Sequence, residues 1–189
     1  MPDNLPMQLT PEQAAARLRA LAPALQTLLH DVPEEVWRWH PAAGEWCINQ
    51  IIGHVIAADA NGFVGRIRLI LSQERPELPL WDIGGMVEQR QDCRRDPQDL
   101  LSELATAREE AARLVEQLKP EELRRSGIHP VVGELRVADL LHEWLHHEAN
   151  HMKQILSNIQ AWVWPFMGNS QRFSDPDFLR QLMERSRSS

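Results

Sequence analysis

The sequence predicts an all-α protein built as a four-helix bundle. Three observations carry this: four long segments with apolar residues at helical spacing, start signals such as a cap followed by proline, and no stretch that alternates strictly over strand length. The first helix opens at Thr10, where Thr10-Pro11-Glu12-Gln13 sets an N-cap hydroxyl, a proline at N1 and a glutamine at N3. Leu18, Leu21, Leu25, Leu28 and Leu29 carry its apolar stripe to about His30, and Pro23 inside the pattern predicts a kink or break. Pro33, Pro41 and Gly44 make the next stretch a connector with one helical turn at Pro33 to Trp37.

The second helix is read from Ile48 to Glu74, stopping before Pro76. At about 27 residues it spans on the order of 40 Å, the scale of a bundle helix. A long loop follows to about Asp96, with a short helix around Met86 to Cys93. Asp96 and Pro97 open the third helix, which runs to Lys119 before Pro120. Gly127, Pro130 and Gly133 give an irregular link, and the fourth helix runs from Val137 to about Trp162, ended by Pro165 and Gly168. A short fifth helix runs from Pro176 to about Arg185, followed by a Ser/Arg tail expected to fray. The whole chain, 1–189, reads as one domain with its core over about 10–165 and a C-terminal extension, 166–189.

Composition narrows the function classes. A formal charge of −7, spread along the helices, leaves no basic stripe to neutralise phosphates, which argues against nucleic acid as partner. The most apolar stretch, Ile48 to Leu71, is interrupted by Asn49, Gln50, His54, Asp59, Asn61, Arg66 and Arg68, so no membrane span is expected. Met1 to Leu9 has neither a basic flank nor an apolar run, unlike a secretory signal. Cys47 and Cys93 are far apart without CxxC spacing, so neither a disulfide framework nor a zinc ribbon is expected, and a cytoplasmic setting fits.

Eight histidines occur, four of them in the fourth helix: His142, His146, His147 and His151. His147 and His151 are four apart, one turn along the same helix face, where two imidazoles can chelate one ion. His54 sits in the second helix among Ile51, Val55 and Ala58. A lone histidine on an apolar face is usually a satisfied core residue. Facing a His-x-x-x-His pair across a bundle, it is better read as a third ligand. His54, His147 and His151 are therefore the candidate metal ligands, for one divalent ion among Zn, Ni, Fe or Mn. His30, His40, His129, His142 and His146 read as structural or solvated.

The run Gly44-Glu45-Trp46-Cys47-Ile48-Asn49-Gln50-Ile51-Ile52-Gly53-His54 resembles the second-helix entry of the DinB/YfiT-like family. Leu140 to Ile155, with His147, Glu148, His151 and Gln154, resembles its fourth-helix pattern. The resemblance covers Thr10 to Ile159. It implies an up-and-down-related four-helix bundle with a divalent metal held by His54, His147 and His151, and it implies a homodimer acting on a small-molecule substrate. It further implies transfer or isomerisation dependent on a low-molecular-weight thiol, although many members are metalloenzymes of unassigned substrate. Where members start the fourth helix with Thr or Ser, this chain has Arg136, which leaves that cap open.

Two alternatives stand beside this reading: a non-catalytic metal- or ligand-binding bundle of the stress response, and a zinc peptidase. His147-Glu148-Ala149-Asn150-His151 matches HExxH literally, but no acid lies between Glu148 and Asp175 to complete a zincin set, and no substrate-holding strand is read. Asp59 lies about 140° around its helix from His54, which suggests a substrate-side role or an ion pair with Arg66. Glu148 reads as a surface or supporting carboxylate, and Gln154 and Asn150 as residues that orient ligands or waters. Trp37, Trp39 and Trp46 are expected to pin the connector over the bundle; Trp162 and Trp164 to line a substrate mouth or a dimer seam, or to join the core.

Overall fold

The computed structural model describes residues 8–187. Most of the N-terminal segment read as lacking a signal, and the last two residues of the Ser/Arg tail, lie outside the described residues. The first bundle helix, α1 (Pro11–Leu28), begins with the capping box expected at Thr10 and Gln13. It runs through Pro23 without a break. Pro23 is on the exposed face, and its missing N–H removes one hydrogen bond without ending the helix. A single turn, α2 (Glu34–Arg38), follows in the connector.

The second bundle helix is not one uniform rod. It is α3 (Ile48–Ala57), a wider π-helical segment over Ala58–Val64, and α4 (Gly65–Ser72). Such a segment takes extra residues per turn and often marks a functional site, and here it begins four residues after His54 and carries Asp59. After α5 (Ile83–Arg90) comes α6 (Pro97–Glu116), capped by Asp96 through the Gln98 and Asp99 amides.

The expectation of no strands fails at one place: β1 (Ser126–His129) and β2 (Gly133–Arg136) pair antiparallel as a small hairpin. Four-residue strands are too short to show alternation, and Gly133 supplies the positive φ, +81°, at the turn. The hairpin anchors the preceding loop, because Leu78 N–H donates to Ile128 O and Ile128 N–H to Pro76 O, both at 2.8 Å. The last bundle helix, α7 (Val137–Val163), opens with Asp139 accepting the Arg136 N–H at 3.0 Å. Arg136 therefore starts the helix with its cap supplied from N3 rather than from its own side chain. The C-terminal α8 (Pro176–Arg187) lies beyond two short turns.

The four bundle helices enclose two apolar clusters stacked along the bundle. One contains Leu18, Ala58, Phe63, Ala111 and Trp144; the other contains Leu21, Val55, Leu104 and Ile155. On α6 and α7 alike, the residues between the two clusters are polar: Arg108 lies between Leu104 and Ala111, and His147, Glu148 and His151 lie between Trp144 and Ile155. This polar layer holds the candidate site.

The cysteines overturn a sequence expectation. Cys47 and Cys93 form a disulfide across 46 residues of chain. Spacing says nothing about a pair that only the docking of the α5–α6 turn against the start of α3 brings together. With both cysteines paired, cysteine usage does not favour a reducing compartment. Among the described residues no helix is long and apolar enough to cross a membrane.

Candidate metal centre

The structure brings His54, His147 and His151 together. Nε2 of His147 lies 3.2 Å from Nε2 of His54 and 3.2 Å from Nε2 of His151. His54 is 4% exposed on α3, and the other two are half-buried on α7, four residues apart as their spacing requires. Among the described residues the cluster has no fourth His, Cys, Asp or Glu.

These nitrogens fit a divalent ion. Ligand nitrogens held about 2.0–2.1 Å from a tetrahedral ion stand about 3.3 Å apart, close to the spacing observed. The imidazoles are also in the required charge state. Burial pushes His54 down to about 4, with His151 adding to the effect. Burial, then His151 and His54, push His147 down to about 3. His151 is lowered by burial against a raising hydrogen bond from Gln154. His151 Nδ1–H donates to Gln154 Oε1 at 3.0 Å, which leaves the Nε2 lone pair facing the other two rings. Nδ1 of His54 and Nδ1 of His147 are buried without a protein partner. Of the two orienting residues expected on α7, Gln154 meets the triad, whereas Asn150 accepts from Lys153.

Three aromatic rings frame the cluster. Trp46 packs on His54 at 4.9 Å between centroids and stacks on His151 at 6.4 Å. Trp81, delivered by the loop that the hairpin anchors, stacks on His54 at 5.9 Å, and Phe63 meets His147 edge-on at 5.5 Å. Trp46 thus covers the site as well as closing the connector. On the bundle side of His151 the free space is about 10 Å³, too little to hold more than one water. A cleft of about 690 Å³ lies elsewhere, between α4, the hairpin and the first turns of α7. Arg66, His129 and His142 line it, and none of the three clustered histidines does.

Beside the histidines lies an ion network that sequence reasoning missed. Arg108 is fully buried, with Nη1 2.6 Å from Glu148 Oε2 and Nε 2.6 Å from Asp59 Oδ2. Trp144 Nε1–H donates to Asp59 Oδ1 at 2.6 Å. Asp59 therefore pairs with Arg108 on α6, not with Arg66, whose Nη2 donates to the Pro79 carbonyl instead. Glu148 is buried, not a surface carboxylate. Burial raises both carboxyls, Asp59 to about 6, while Arg108 pulls them down. The signal for Arg108 was in the sequence: it occupies a buried position of the stripe Leu101, Leu104, Arg108, Ala111, Val115.

Comparison with known proteins agrees with this architecture. A protein of Oceanobacillus iheyensis named as a candidate metal-dependent hydrolase is 28% identical over 112 residues, 59% of this chain, and the match spans 64% of that relative's length. The solved structure of YfiT from Bacillus subtilis, described as a probable metal-dependent hydrolase with an unusual four-helix bundle topology, superposes with a TM-score of 0.72. That superposition covers 84% of this chain and 90% of YfiT at 18% identity. The family model of the DinB superfamily matches residues 6–155, a span that includes α1 and all three clustered histidines, and the chain belongs to that superfamily.

Proposed function

We propose that the protein is a metal-dependent enzyme of hydrolytic type, with one divalent ion held by Nε2 of His54, His147 and His151. The observation that carries this is the convergence of three neutral imidazole nitrogens with no fourth protein ligand beside them among the described residues. Closed structural sites use four protein ligands, whereas three leave a position for water or substrate. When bound, such an ion supplies a Lewis acid and brings the pKa of a coordinated water towards about 7. The descriptions of the two relatives support hydrolysis as the reaction class.

The chain's own residues define the rest. The three imidazoles present lone pairs at neutral pH without first losing a proton, and Gln154 fixes the tautomer of His151. The bundle side of His151 has little free space, and we place substrate access on the side of Trp46 and Trp81, whose rings offer apolar surface to a small molecule. Glu148 is committed to Arg108, so we do not give it the general-base role of an HExxH peptidase. Transfer or isomerisation dependent on a low-molecular-weight thiol would draw on the same three imidazoles, whose ion would accept a sulfur ligand as well as water.

The test is elemental analysis of protein purified without a His-tag, beside His54→Ala and His147→Ala. About one Zn, Ni, Fe or Mn per chain, lost in both variants while helicity is kept, supports the proposal. Metal-loaded protein then goes into ester, amide and phosphoester assays with and without added thiol. One metal per chain retained in both variants overturns the ligand set.

A further inference from the structure

The two sulfurs of the Cys47–Cys93 disulfide occupy different surroundings. Cys47 is wholly buried at the N-cap of α3, where its Sγ accepts the Gln50 N–H at 3.4 Å. Cys93 is half-buried in the turn between α5 and α6, and its Sγ lies 3.5 Å from Nε2 of the exposed His40. His40 Nδ1–H donates to the Glu45 carbonyl at 2.7 Å, which leaves Nε2 with the lone pair that faces Cys93. One sulfur thus rests on the Gln50 amide and is buried, and the other is half-buried beside an exposed base.

We propose that Cys47, Cys93 and His40 form a second reactive site, a thiol–disulfide exchange centre whose substrate is a low-molecular-weight thiol or its disulfide. An incoming thiolate attacks Cys93 Sγ, the accessible sulfur. A bond forms between the incoming sulfur and Cys93 as the Cys47–Cys93 bond breaks, and the electron pair leaves on Cys47. The amides at the start of α3 stabilise that thiolate, which makes Cys47 the leaving sulfur. A second thiolate attacks the incoming sulfur of the mixed disulfide, releasing the small symmetrical disulfide and the Cys93 thiolate beside His40. Two small thiols are oxidised to one disulfide, and the protein disulfide is reduced to two thiols. The two protons given up by the small thiols end on Cys47 and on the Cys93–His40 pair. The reverse reaction takes the small disulfide as oxidant and rebuilds the Cys47–Cys93 bond.

This site uses none of the triad residues and does not depend on a metal. It lies at the start of the helix that carries His54, and Trp46, the neighbour of Cys47, packs on two triad rings.

The experiment uses the full chain and oxidised glutathione, with intact-mass readout. Cys47→Ser keeps a good N-cap for α3, so the helix is preserved while Cys93 is left as a thiol. That variant is expected to take one glutathione per chain. Cys93→Ser, whose remaining thiol is buried, takes none until it is unfolded. Adding His40→Ala to Cys47→Ser slows adduct formation at neutral pH by about tenfold, through loss of the base that generates the thiolate. Wild type shows no free thiol as purified and two after reduced glutathione. The proposal is overturned by equal labelling of the two single-cysteine variants, by an unchanged rate without His40, or by two wild-type thiols that oxidised glutathione does not pair. It is also overturned if the reduced chain binds an extra zinc ion, lost in Cys93→Ser, in place of exchanging with glutathione.

Discussion

Glu148 directs its carboxylate at Arg108, with Oε2 2.6 Å from Nη1, and so the residue next to His147 is tied to the helix across the bundle. The same guanidinium holds Asp59, so one buried cation faces two carboxylates in the layer between the apolar clusters. Breaking a buried pair leaves charge without compensation, which typically costs about 3–5 kcal/mol. Arg108→Met should lower unfolding stability by about that amount in urea titrations. Adding Glu148→Gln to that variant should recover part of the loss, because one stranded carboxylate is removed. A loss below about 1 kcal/mol would mean that the network contributes no more than a surface pair.

Gly53 is required by space rather than by backbone conformation. A Cβ built there would lie 1.8 Å from Asp92 Oδ2, and Asp92 is itself fixed by Arg90 and Arg95. The small residue lets α3 settle against this carboxylate one position before His54. In an open helix Gly→Ala gains about 1 kcal/mol. Here the substitution should instead destabilise by about 1–3 kcal/mol, the usual cost of overpacking. Thermal unfolding of Gly53→Ala decides the sign.

Among the described residues, Gln154 is the one protein group that meets an outer nitrogen of the triad. Outer partners of this kind fix ring orientation and are worth about 10–100-fold in metal affinity. Gln154→Leu should weaken binding of the divalent ion by about tenfold while leaving the stoichiometry at one. A competition titration with a chelating dye reads this directly, and unchanged affinity would remove the orienting role.

The bundle and the His147–His151 pair were legible because both rest on helical periodicity, and His54 could be added as a histidine on the apolar face of a second bundle helix. The other tertiary pairs were not legible. Asp59 could not be matched to Arg108 from its own helix, since its partner is set by packing against α6, although Arg108 in an apolar stripe was a usable warning. The π-helical segment after His54 gives no compositional sign, and the hairpin is too short for alternation to report. The Cys47–Cys93 bond depends on where a loop docks, which spacing along the chain does not encode.

Acid stability tests the charge state of the triad. The folded chain holds His54 near about 4 and His147 near about 3, whereas an unfolded imidazole takes its proton near about 6.5. Between these values the unfolded chain binds more protons, so stability rises with pH across the window and is lost on acidification from about 6.5 downwards. Asp59 acts in the opposite sense. Its carboxyl is raised to about 6 in the fold, so the folded chain keeps a proton that the unfolded chain releases near about 4, and this contribution falls as pH rises through that range. Comparing metal-free wild type with His54→Gln cancels the Asp59 effect, which both proteins share. The wild type should lose stability more steeply between pH about 6.5 and about 4, and parallel pH profiles in denaturant titrations would mean that His54 is not held neutral by the fold.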